Sequence, residues 1–193
     1  MEQIIHAFTQ NPIAQTIGIA AYFLSAFSAA QKDEHKLRNY MALSALVWSI
    51  HHFALNSPTA GVMLLIIGVR CYVASSLLEK SLKTRFSAAL LFVGINIIGV
   101  ALTWEGGNSL FALMAATVAT VAVLLTQGLK TRVLLISVEA LWLVYNIHVM
   151  SLGGIVACLT DGFILTYVLF KDFVFTKKNL KSAEASKIIA EVA

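Results

Sequence analysis

Seven apolar stretches, residues 13–30, 39–55, 59–78, 85–104, 108–126, 132–150 and 152–171, follow one another with connections of only one to eight residues. As a helix at about 1.5 Å per residue, each is about as long as a crossing of roughly 30 Å of hydrocarbon requires. Charged side chains make up 12% of the chain and hydrophobic ones 59%, against roughly 25% and 45–50% in soluble domains. A water-soluble globule is excluded, and the stretches leave no room for a soluble catalytic domain of about 100 residues. The chain is expected to be an all-α membrane protein with seven transmembrane helices, its surroundings a lipid bilayer.

The remaining charge is distributed by side. The connections after the first, third and fifth stretches hold Lys32, Lys36 and Arg38, then Lys80, Lys83 and Arg85, then Lys130 and Arg132. Lys171 and the tail, with Lys177, Lys178, Lys181 and Lys187, follow the same pattern. The opposite connections, 56–58, 105–107 and 151, and residues 1–10 contain no Lys or Arg. By the positive-inside rule this predicts an N-out/C-in, multi-pass protein of the cell membrane, with residues 172–193 as a cytoplasmic tail. Lacking a basic start, residues 1–10 do not read as a signal peptide, and 13–30 is expected to be retained. The net charge of +4 is spent on topology, so no nucleic-acid partner is implied. A retinal pigment would need a lysine midway along the last helix, where only the terminal Lys171 occurs; loops this short give a G-protein-coupled receptor little docking surface.

Shifting the chain by 94 residues lays Lys36 on Lys130, Arg38 on Arg132, Trp48 on Trp142, Ser57 on Ser151, Val62 on Val156, Leu65 on Leu159 and Gly68 on Gly162. Helices one to three then overlie five to seven. Because the offset spans four crossings, the two halves keep one orientation, related by an axis along the membrane normal. The expected organisation is a first three-helix bundle at 13–78, a linker helix at 85–104 and a second bundle at 108–171. This 3+1+3 plan resembles the SWEET, SemiSWEET and PQ-loop transporters and the related PnuC vitamin transporters, which implies movement of a small solute. Those families carry prolines within the first helix of each bundle, whereas Pro12 and Pro58 here stand at helix ends. The stretch Trp48-Ser49-Ile50-His51-His52, with Asn56-Ser57 and Arg70, also resembles the YgjV family, implying a bacterial inner membrane location.

Ionisable groups in apolar helices mark function by default. Counted from the cytoplasmic ends at about 1.5 Å per residue, Arg70, Glu139, Asp161, Trp48, Trp142 and Asn96 all fall at about 10–16 Å, near the bilayer centre. Arg70 is expected to pair with Glu139 or Asp161, leaving the other acid to hold a proton or meet a cation. Trp48, His52 and Asn56 form one stripe, and Glu139, Trp142 and Asn146 another. An aromatic face with amide and imidazole groups suits a small polar or planar solute such as a sugar, nucleobase or vitamin.

The candidate substrate site is therefore Trp48, His52, Asn56, Arg70, Asn96, Glu139, Trp142, Asn146 and Asp161. The expected function is a small-solute transporter or facilitator. The alternative is a non-transporting sensor or assembly subunit that keeps the buried charges as an interhelical clamp. A minor alternative, haem or metal at His51, His52 and His148, is weakened because adjacent histidines project about 100° apart on a helix. Cys71 and Cys158 read as buried thiols. No catalytic motif, cofactor or metal site is expected, and a homo-oligomer is left open.

Overall fold

The computed structural model describes residues 11–171, and every regular element among them is an α-helix. Helix α1 spans Pro12–Ala29, α2 Glu34–Ala54, α3 Pro58–Ser76, α4 Leu82–Leu102, α5 Ser109–Leu125, α6 Leu129–His148 and α7 Leu152–Lys171. The expected tail, 172–193, lies outside the described residues. Each helix overlies one apolar stretch, but α2, α4 and α6 begin three to five residues earlier than hydropathy suggests. The polar residues ahead of them are caps, not loop. The Asp33 carboxylate accepts the Lys36 N–H at 2.8 Å, and the Ser81 hydroxyl accepts that of Thr84 at 3.2 Å, satisfying donors that a helix start leaves orphaned. Before α6, Gly128 adopts a φ of 62°, which glycine takes without steric cost.

Helices α1, α3, α4 and α7 are long and apolar enough to cross a membrane, whereas α5 is apolar but shorter. Helices α2 and α6 carry more charge, with Glu34, Lys36 and Arg38 on one and Lys130, Arg132 and Glu139 on the other. Several of these polar groups point inward: Arg38, Arg70, His51, His52, Asn96 and Asn146 are buried, while Ile13, Phe23, Leu90, Ile98, Phe163 and Phe170 are exposed. A surface of large apolar side chains around a polar interior is the arrangement a hydrocarbon solvent favours.

Helix α2 packs between α1 and α3, α3 against α4 and α5, and α5 against α4 and α6. Close approach along α5 comes from Ala112, Ala115, Ala116, Ala119 and Ala122, all fully or almost fully buried, since small residues let helix backbones come together in a membrane. Helix α7 meets α1 where Gly153 faces the Gly18 backbone.

The connections α1–α2, α3–α4 and α5–α6 gather at one end. There the Gln127 amide donates to Leu78 O at 3.3 Å, and Arg85 Nε donates to Leu124 O at 2.6 Å. Arg38, fully buried, donates to Val123 O at 3.0 Å and Thr126 O at 3.2 Å while pairing with Glu34. Basic side chains read from sequence as a topology signal thus also satisfy the carbonyls at the end of α5. At the opposite end Glu105 accepts the Thr59 N–H at 2.9 Å, supplying the anionic cap of α3 that Ser57 does not make.

Candidate functional site

A cavity of about 120 Å³ runs between α1, α2 and α3 on one side and α5, α6 and α7 on the other; α4 contributes nothing to its lining. That is somewhat smaller than the engineered apolar cavity of about 150 Å³ that admits benzene. Its walls are mostly aliphatic, among them Leu37, Met41, Leu64, Ile67, Leu135 and Leu165. The polar groups are Ser25, Ser28, Ser44, His52, Glu139, Asn146, Cys158 and Asp161, and Trp48 and Trp142 supply aromatic faces.

The aromatic wall is built around one imidazole. The His52 ring centroid lies 6.2 Å from that of Trp48, 6.5 Å from Trp142 and 6.2 Å from Tyr145. Because α2 and α6 present these residues on their inward faces, the two tryptophans flank the histidine. About one turn along α6 from Trp142 the lining is acidic: the Glu139 carboxyl is placed beside Asp161 and the Cys158 thiol, and Ser25 lies beside Asp161. Three buried atoms of the lining residues have no hydrogen-bond partner among the described residues: His52 Nδ1, Asn146 Oδ1 and Asp161 Oδ1.

Six of the nine residues singled out from sequence line this cavity: Trp48, His52, Glu139, Trp142, Asn146 and Asp161. The other three do not, each for a distinct reason. Asn56 is exposed in the α2–α3 turn at a φ of 55°, the left-handed conformation that Asn tolerates better than most residues. Arg70 does not pair with Glu139 or Asp161. Its Nη1 donates to Ala116 O at 2.7 Å and to Thr120 Oγ1 at 2.8 Å, on α5. Three residues are about 300° of helix, so Arg70 lies about 60° around α3 from the cavity-lining Ile67. Asn96 joins this second cluster, donating to Thr120 Oγ1 at 3.3 Å. The depth read from sequence is shared, but the two clusters face different sides of α3.

Sequence reading also missed the groups that close one end of the cavity. His51 Nδ1 donates to Ala14 O at 2.7 Å, and its Nε2 lies 3.0 Å from Ser151 Oγ. Ser57 Oγ lies 2.8 Å from the Tyr145 hydroxyl, which donates to Glu105 at 3.4 Å. With both nitrogens engaged in protein hydrogen bonds, His51 is a bridge between helices, not an open ligand. The available signal was the repeat: Tyr145 stands 94 residues after His51, as Ser151 does after Ser57. His148 is exposed, bonding Val144 O at 2.7 Å. Among the described residues no group of three or more His, Cys, Asp or Glu could hold a metal ion.

Residues 12–174 match the family model Imp-YgjV, described as bacterial inner membrane protein. The chain is 23% identical over 144 residues to "Inner membrane protein YgjV" of Escherichia coli (strain K12), a match covering 74% of each chain. No solved structure matches.

Proposed function

The chain belongs to the Imp-YgjV family of bacterial inner membrane proteins, and from that premise we propose that it is a small-solute transporter or facilitator. Its site is the cavity between two three-helix repeats, α1–α3 and α5–α7, with α4 as the connecting helix. The observation that carries this reading is the cavity's lining: each of those six helices contributes, α4 does not, and the repeat-related Trp48 and Trp142 both face it. Repeat-built transporters bind their substrate at such an interface.

Reciprocal contacts give further support. His51 meets Ser151, and Tyr145 and Ser57, their counterparts 94 residues away, meet each other. Arg38 donates to Thr126 O, while its counterpart Arg132 donates to Gln31 O at 2.8 Å, one position from the strict counterpart of Thr126. Asn56 and its counterpart Met150 take the same left-handed turn, with φ of 55° and 53°. A contact between i and j repeated as its mirror is what a two-fold axis produces. With that axis along the membrane normal and the basic end in the cytoplasm, the protein is N-out and C-in. The hydroxyl and imidazole contacts form an outer gate and the arginine contacts an inner one; alternating access releases one while the other holds.

Bonds joining the halves at both ends also favour a second reading, a sensor or assembly subunit whose halves never part. A thermal-shift screen of small polar solutes on the purified full chain, followed by flux of each binder in proteoliposomes, separates the two, because a ligand of the folded state raises stability by mass action. A binder whose effect is lost in Trp142→Ala and that crosses the vesicle wall fits the transporter. One that binds there without crossing fits the sensor, and a screen without binders overturns the transporter and the sensor and leaves the assembly subunit.

A further inference from the structure

Resting on the cavity as the solute site, we propose that its occupant is a small organic cation, a primary to quaternary ammonium ion. The ion sits between the tryptophan rings and the neighbouring carboxyls of Glu139 and Asp161. Among the described residues, the cavity is lined by two acids and by no Lys or Arg. Arg70, the basic residue at the same depth, is turned to Ala116 and Thr120 on α5. A carboxyl in a membrane interior calls for a cation or a proton, since an unpaired buried charge is expensive. Asp161 is only 5% exposed, and its Oδ1 accepts no hydrogen bond among the described residues.

The uncharged groups point to the same class of ligand. Asn146, 3% exposed, spends its amide N–H on Cys158 Sγ at 3.5 Å and leaves Oδ1 without a donor. Two unpartnered acceptors on adjoining helices ask for a ligand that donates, or one that carries positive charge. Trp48 and Trp142, both in the lining, complete the match, because an ammonium ion over an indole gains cation–π attraction that grows when water is excluded. A cavity of about 120 Å³ takes an ammonium ion bearing a few carbons and is too small for a disaccharide. An anion would meet two carboxyls, and among the described residues no group of three or more His, Cys, Asp or Glu could hold a bare divalent metal.

The test uses the purified full chain in detergent, with tryptophan fluorescence and thermal shift as readouts. The probes are methylammonium, tetramethylammonium and choline chlorides, set against 3,3-dimethylbutan-1-ol, the neutral isostere of choline. At least one cation is expected to bind about tenfold or more tighter than the alcohol. Asp161→Asn combined with Glu139→Gln should bring that ratio to about one while the alcohol still binds, which shows the cavity intact. Each single substitution should lower the ratio on its own, so misfolding of the double variant does not remove the test. If the alcohol binds as well as every cation, or if the preference survives neutralisation of both acids, the cation proposal is overturned and the cavity remains a solute site. If no probe binds, the cation proposal falls; whether the cavity binds any solute is then decided by the wider screen.

Discussion

His51 and Ser151, one hundred residues apart in the chain, are joined by a 3.0 Å contact between Nε2 and Oγ. The Ala14 carbonyl at Nδ1 can only accept, so that nitrogen carries a proton and the neutral ring takes its second bond from the Ser151 hydroxyl. Ser151 Oγ in turn accepts the Gly154 N–H at 3.2 Å. One imidazole therefore ties α2 to both α1 and the start of α7.

His51→Ala should cost about 1–3 kcal/mol of thermal stability, because it orphans a buried carbonyl and hydroxyl, whereas Tyr145→Phe should cost about 0.5–1.5 kcal/mol. Double-mutant cycles in detergent should give coupling of about 0.5–3 kcal/mol within His51/Ser151 and within Ser57/Tyr145. Additive effects within either pair would mean that the contact does not form.

Glycine substitutions read the same packing sterically. A Cβ on Gly18 would lie 2.8 Å from the His51 ring, and one on Gly154 would overlap Asn146 Oδ1. Gly18→Ala and Gly154→Ala should each destabilise by about 1–3 kcal/mol. Gly94, in the interior of α4, has nothing within 4 Å of such a Cβ, so Gly94→Ala should stabilise by about 0.5–1 kcal/mol. Equal melting shifts for the three would show the two contacts to be loose.

Two buried arginines should respond in opposite ways. Arg38 holds Glu34 and the end of α5, and Arg38→Met should cost about 1–3 kcal/mol, because it leaves the carbonyls at the end of α5 without that donor. Arg70 has no acid partner among its hydrogen bonds, and its Nε and Nη2 have no hydrogen-bond partner among the described residues. Removing it orphans no carboxylate, so Arg70→Met should leave the melting temperature unchanged or raised. A loss as large as that of Arg38→Met, relieved by Asp161→Asn, would restore the ion pair that sequence alone suggests.

Orientation is checked by labelling intact cells with an impermeant thiol reagent. The native Cys71 and Cys158 are buried and should stay silent. Asn108→Cys should label from outside and Ser81→Cys should not; the reverse pattern would invert the proposed topology.

The seven helices, the concentration of positive charge at one end and the membrane setting were legible in the sequence because each depends on local, one-dimensional properties: length of apolar run, spacing of charge. Depth was legible for the same reason, since a helix rises a fixed distance per residue, and Trp48, Glu139, Trp142 and Asp161 do meet in one cavity. Azimuth was not. Which way α3 turns about its own axis depends on how α4 and α5 pack against it, and that rotation carries Arg70 to Thr120, which Asn96 of α4 also meets, instead of to the acids. The repeat was visible where side chains are identical, as at Trp48 and Trp142. Where unlike residues do the same work, as His51 and Tyr145 do at Ser151 and Ser57, the equivalence exists only as a contact, and a contact between residues about ninety to one hundred positions apart is fixed by the tertiary structure alone.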